Sequence, residues 1–199
     1  GARKLGGGVI RRAANAGKTI KIILLSDVYF PRVNGVSTSM QTFRAELQTL
    51  GHEVMIIAPA YPQPTADGPG IERIASRRVP FDPEDRMMRP RALARRLALI
   101  QPGQFDLVHV QTPFVAHYAG LRLARRLGVP CLETYHTFFE EYLFHYLPVL
   151  PKALLRAITR RFSRRQCNRL NGLVVPSQAM REVLARYGVR AKIQVIPTG

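Results

Sequence analysis

Short continuous apolar runs alternate along this chain with segments whose apolar residues recur every three or four positions, and that order leaves few ways to fold. Ile20 to Ser26 is apolar almost throughout, as a strand covered on both faces must be. After it, Val36, Met40, Phe43, Leu47 and Leu50 are spaced to share one face of a helix, with Gly51 as its stop. His52 to Pro59 reads as a second strand and Ile71 to Phe81 as a third, reached through a Pro- and Gly-rich loop from Tyr61 to Gly70. Arg91 to Gln101 reads as a helix, Phe105 to Gln111 as a strand, Phe114 to Leu127 as a helix ended by Gly128, and Val129 to Tyr135 as a strand. A long helix from beyond Pro151 to near Leu170, the strand GLVVP, a helix from Ser177 to Tyr187 with Ser177 as N-cap, and the strand KIQVIP complete the series. This alternation predicts an α/β fold: a doubly wound, mainly parallel sheet with helices on both faces and right-handed crossovers.

In such sheets ligands sit beyond the carboxyl ends of the strands, where loops and helix N-termini converge. The stretch SDVYFPRVNGVSTSM joins the first strand to the first helix there, with Asn34-Gly35 at the handover. Gly35 lets the backbone come close to a ligand, and the amides of Val36 to Thr38 are expected to face an anion. Asn-Gly is equally a common turn, and the loop is neither a GxGxxG fingerprint nor a P-loop. Asp27, directly after the strand, reads as a loop cap.

The chain has 199 residues, 46% of them hydrophobic, enough for the core of one sizeable domain that could hold seven strands. Lys and Arg number 30 against 13 Asp and Glu, a formal charge of +17 that favours an anionic partner: nucleic acid, a membrane surface or a phosphorylated substrate. The two cysteines, Cys131 and Cys167, lie far apart in a chain with no Cys/His or carboxylate cluster of metal-site spacing. Neither a disulfide framework nor a metal is expected, and a reducing, cytoplasmic setting fits best. No apolar run reaches membrane-spanning length, and the N-terminus has no signal-peptide core. Residues 1–18, glycine-rich and basic, read as a flexible arm or an expression remnant.

Two segments concentrate the arginines. In RMMRPRALARRLALI these are Arg86, Arg89, Arg91, Arg95 and Arg96. On the later helix Arg156, Arg160, Arg161 and Arg164 oppose Leu154, Leu155, Ile158, Phe162 and Leu170 on the wheel. Such faces are ordinarily solvated, but a basic helix also gains about 1 kcal/mol per charge near an anionic bilayer. The arginines are not interleaved with stacking aromatics, and no RNP1 signature occurs, so no nucleic-acid partner is expected.

Six segments in order, DVYFPRVNGVSTSM, LGHEVMIIAP, FDLVHVQTP, YHTFFEEYLFHYLP, VVPSQAMREVL and VIPTG, resemble the N-terminal half of a retaining GT-B glycosyltransferase of family 4. PRVNGV together with ETYHTFFEEY looks most similar to the branch of diacylglycerol glucosyltransferases and mannosyltransferases acting on lipid acceptors. The resemblance implies that residues 19–199 are a Rossmann-like acceptor-side domain, one half of a GT-B architecture. Its partner, the C-terminal domain that holds the donor, would lie beyond Gly199, and the chain alone is expected to be inactive. It implies a nucleoside diphosphate sugar as co-substrate, no cofactor, and a peripheral position on the inner face of the membrane, with a soluble acceptor as the alternative. Asn34, Gly35 and Val36 would lie beside the donor diphosphate, and His136 would reach the reaction centre and contact the transferred sugar. Retention implies attack on the face the nucleotide leaves from, with the departing phosphate taking the acceptor proton, so no separate carboxylate base is required. Thr137, Glu141 and Tyr142, with Glu140 and His145, are candidates for the acceptor side. His109 is a further candidate there or else a structural histidine, while His52 and His117 carry no expectation. The same resemblance assigns Arg86, Arg89, Arg91, Arg95 and Arg96 to the membrane surface.

Overall fold

A computed structural model describes residues 17–63, 65, 67–79, 82–136 and 152–197. Seven strands form one parallel sheet: β1 (Lys21–Leu25), β2 (Glu53–Pro59), β3 (Ile71–Ile74), β6 (Leu107–Val110), β7 (Cys131–Thr134), β8 (Gly172–Val175) and β9 (Lys192–Val195). Their order is β3-β2-β1-β6-β7-β8-β9, so the chain winds outward in one direction, returns, and winds outward in the other. The switch falls between β1 and β6, where Leu25 pairs with Val110. This is the doubly wound arrangement that the alternation predicts.

Burial on β1 explains its continuous apolar run. Ile22 and Leu24 join a cluster on one face with Val36 and Met40 of α1 (Gly35–Thr49). Ile23 and Leu25 join the larger cluster on the other face. There the sheet packs against α2 (Pro90–Ala98), α3 (Val115–Leu127) and α5 (Gln178–Arg186). Alternate residues point to opposite sides, so a strand covered on both must be apolar at every position. Gly128 ends α3 as expected, left-handed at φ 70° with its amide bonded back to Ala124 and Arg125 carbonyls.

Helix α3 sits close on the sheet because Gly120 faces β6. A Cβ there would stand 2.5 Å from Val110 Cγ2, a branched and fully buried neighbour. Gly120→Ala is therefore expected to lower stability by about 1–2 kcal/mol, because overpacking outweighs the helix-propensity gain. Urea unfolding of the two chains measures it.

Three expectations need correction. Ile71 to Phe81 is not one strand: it breaks at Ala75, and β4 (Ser76–Val79) leaves the sheet to pair antiparallel with β5 (Asp82–Met88). Arg77 and Arg78 on β4 are exposed, so this segment lacks the apolar cover that a sheet buried on both faces requires. Arg86 accordingly lies on a ribbon, not on a basic helix, and α2 begins only at Pro90. Proline fits the first helical turn and holds Arg89 extended, at φ −68° and ψ 118°.

The third correction concerns α4 (Lys152–Cys167). Its wheel does not bury one apolar stripe: Leu155, Thr159, Ser163, Gln166 and Cys167 face inward, while Leu154 and Ile158 are 47% and 41% exposed. The inward polar groups are drawn by polar partners. Ser163 Oγ lies 2.9 Å from the Tyr135 hydroxyl, and Gln166 Nε2 donates to the Pro113 carbonyl at 2.8 Å.

Candidate active site

The carboxyl ends of β1, β6 and β7 bring Ser26-Asp27, Gln111-Thr112 and Tyr135-His136 to one edge of the sheet, beside the N-terminus of α1. Asn34 caps that helix, its Oδ1 accepting from Ser37 N at 2.8 Å, and its carbonyl accepts from Thr38 N at 3.0 Å. The expectation that amides of Val36 to Thr38 face an anion is thus narrowed. Those of Ser37 and Thr38 are satisfied within the chain, and those of Gly35 and Val36 stand before the first intrahelical bond. A Cβ on Gly35 would meet nothing within 4 Å, and its φ is not left-handed. Neither packing nor backbone geometry among the described residues requires glycine at that position.

His136 Nε2 donates to Gln111 Oε1 at 3.0 Å, leaving Nδ1 as the ring's acceptor. Burial pushes its pKa down to about 4, so the ring is neutral at neutral pH. Gln111 is buried, and its Nε2 has no hydrogen-bond partner among the described residues. Sequence reasoning passed over Gln111 although it stands within the VHVQTP segment; its role depends on a neighbour from another strand.

His109 is 7% exposed, its Nε2 lies 2.8 Å from Thr134 Oγ1, and Phe43 of α1 meets its ring edge-on. Burial first, and the neighbouring His136 second, hold its pKa down to about 4. A folded-state value below the free histidine value near 6.5 means stability present above that pH and lost as pH falls towards 4. Asp27 opposes this. Burial raises its carboxyl to about 6 despite hydrogen bonds from Thr112 and from the amides of Ala116 and Phe114. Its contribution is full below the free carboxyl value near 3.8 and fades as pH rises through 6. His109→Asn is expected to lose less stability than the parent chain between pH 6.5 and 4.5. Melting curves across that range measure it.

Asp27 is more than a loop cap. Its N–H donates to Thr112 Oγ1, whose hydroxyl donates back to Oδ2, both at 2.7 Å. Its carboxyl also accepts from Ala116 N at 3.1 Å, closing the N-terminus of α3, which has no cap from its own flank. Asp27, Asn34, Thr112 and Phe114 line a pocket of about 210 Å³ with Asp85, Arg86 and Met87 of β5. Thr137, Glu140, Glu141, Tyr142 and His145 lie outside the described residues.

Beneath the site, His117 Nδ1 lies 2.5 Å from Glu133 Oε2, with both side chains buried. Burial raises the Glu133 carboxyl, and the hydrogen bond and charge of His117 pull it back. His117 carries no expectation from sequence because its partner is on a different element.

Of the basic candidates, Arg89, Arg91 and Arg95 are exposed. Arg96 is committed to Glu72 through a two-pronged ion pair. No helix among the described residues is long and apolar enough to cross a membrane, and none of them form a group of three or more potential metal ligands.

Residues 33–199 match the family described as Glycosyltransferase Family 4. The alpha-monoglucosyldiacylglycerol synthase of Streptococcus pneumoniae is 34% identical over 185 residues, covering 90% of this chain and 40% of that protein. The GDP-mannose-dependent alpha-mannosyltransferase of Mycolicibacterium smegmatis is 33% identical over 133 residues, covering 62% of this chain and 35% of that protein. The chain thus spans less than half the length of these relatives. Among solved structures, Anabaena HepE in complex with UDP-glucose superposes with a TM-score of 0.57 at 15% identity, over 90% of this chain and 44% of that one, a likeness of fold.

Proposed function

Because the chain belongs to glycosyltransferase family 4, we propose that it is the acceptor-side domain of an enzyme that moves a hexose from a nucleoside diphosphate sugar to a membrane lipid with retention of configuration. The relatives supply the chemistry by name: one makes glucosylated diacylglycerol and another uses GDP-mannose. The observation that carries the reading is Gly35, a glycine at a capped helix start that nothing among the described residues requires. A donor diphosphate would take the Gly35 and Val36 amides and the positive end of α1, with no Cβ between them. The donor would close over the site from a second domain.

His136 then accepts a hydroxyl hydrogen bond of the sugar through Nδ1, with Gln111 fixing the ring. With its pKa near 4 the ring is too weak a base to keep the acceptor proton, and the leaving phosphate takes it as the bond to the sugar breaks. On the membrane side, exposed Arg89, Arg91 and Arg95 lie on or beside α2. A groove of about 430 Å³ between α2 and α3 adds an apolar floor of Leu93, Leu97 and Leu123 under Arg91 and Arg122. Together they suit a bilayer surface with anionic headgroups.

The test is Gly35→Val in the complete two-domain enzyme. An unchanged melting temperature with at least tenfold lower turnover of a nucleotide sugar is expected. Full turnover would overturn the assignment of the donor site. Flotation of the chain with phosphatidylglycerol vesicles, lost when Arg89, Arg91 and Arg95 become Gln, tests the membrane face.

A further inference from the structure

The ribbon of β4 and β5 places Arg78 directly opposite Arg86. Like charges in cross-strand register destabilise a ribbon, and one of two strands has no wider sheet to hold it. Among the described side chains no carboxylate pairs with either arginine, because Glu84 and Asp85 of β5 are engaged by Arg32 from the loop after β1. Arg86 Nε is buried without a hydrogen-bond partner among the described residues. Arg32, Arg78 and Arg86 line a groove of about 450 Å³ with Tyr61 and Glu84. Arg86 also lines the neighbouring pocket of Asp27, Asn34 and Thr112.

We propose that this groove binds a phosphate group carried by the acceptor, held between Arg78 and Arg86 with Arg32 at its rim. A phosphate has the oxygens to satisfy two guanidinium forks at once, and its charge removes the repulsion that the register otherwise imposes. With the phosphate there, the rest of the acceptor headgroup extends past Arg86 into the pocket of Asp27 and Thr112, whose carboxyl and hydroxyl suit a polyol. The acceptor is accordingly an anionic phosphorylated compound rather than a neutral lipid. This rests on the reading of the cleft as the acceptor side of a glycosyltransferase.

The experiment follows the arginine Nε–H signals of this chain by NMR during titration with sn-glycerol 3-phosphate, alongside flotation with phosphatidylglycerol and with phosphatidylcholine vesicles. A saturable shift of Arg86, weakened at least tenfold in Arg78→Gln/Arg86→Gln, is expected. At low salt without ligand, Arg78→Gln is expected to melt higher than the parent chain. Saturation by glycerol 3-phosphate alone identifies a soluble phosphorylated acceptor, whereas added loss of phosphatidylglycerol flotation in the double variant identifies a phospholipid. No saturable shift, together with vesicle binding equal in parent and double variant, overturns the site. The two proposals separate in the complete enzyme. Phosphate binding without any sugar transfer sinks the transferase reading and leaves the anion site. Transfer to uncharged diacylglycerol that is unaffected by Arg78→Gln/Arg86→Gln does the reverse.

Discussion

His117→Leu is expected to destabilise the domain by about 3–5 kcal/mol, the cost of leaving one member of a buried ionisable pair without its partner. His117 and Glu133 are both buried and 2.5 Å apart. At roughly 2–4 °C per kcal/mol for a chain of this size, the melting temperature should fall by about 6–20 °C. His117→Leu/Glu133→Leu should recover most of the loss, since two apolar side chains of similar volume leave nothing unpaired. Thermal melts of the single and double variants close the cycle. A single variant as stable as the parent would show that the pair contributes nothing.

His136→Ala in the complete enzyme is expected to lower kcat about 100-fold, the scale of losing one preorganised hydrogen-bonding group at a reaction centre. The fold should be little affected, because the ring's bond to Gln111 is at the edge of the sheet and the two strands leading to it are held by buried Val108 and Val110 on β6 and Thr134 on β7. With a pKa near 4, the protonated ring is scarce above pH 6, so His136 should impose no titration on kcat between pH 6 and 8. A limb in that range that disappears in His136→Asn would contradict the neutral-ring role. Near-parent turnover by His136→Ala would remove His136 from the chemistry.

The parallel sheet was legible because its cause is local. Ile22 to Leu25 are apolar in succession only if both faces of β1 are covered, and the helical spacing from Val36 to Leu50 supplies one cover. Gly51 and Gly128 marked helix ends for the same kind of reason, a backbone conformation written in one residue. Asn34-Gly35 could be placed at the strand-to-helix handover from order alone. His136 required the resemblance as well, because a histidine after a strand has no distinctive local pattern.

Other features depended on pairings between elements far apart in the chain. Ala75 to Phe81 read as the end of one strand and Arg86 to Met88 as the start of a basic helix, and the pairing of β4 with β5 replaced both. Leu154 and Ile158 look like core residues on a wheel, but polar partners at Tyr135 and Pro113 turn Ser163 and Gln166 inward instead. Arg86 and Arg96 belong to one basic segment, yet one faces a second arginine across a ribbon and the other meets Glu72. The sequence by itself determined the alternation of strands and helices in the main sheet, the edge at which such sheets take ligands and the excess of positive charge, because periodicity, turn residues and composition act locally. Tertiary structure alone decided which polar groups meet, Gln111 with His136, Asp27 with Thr112 and Glu133 with His117, because an ionisable side chain takes its character from neighbours that folding brings from other strands.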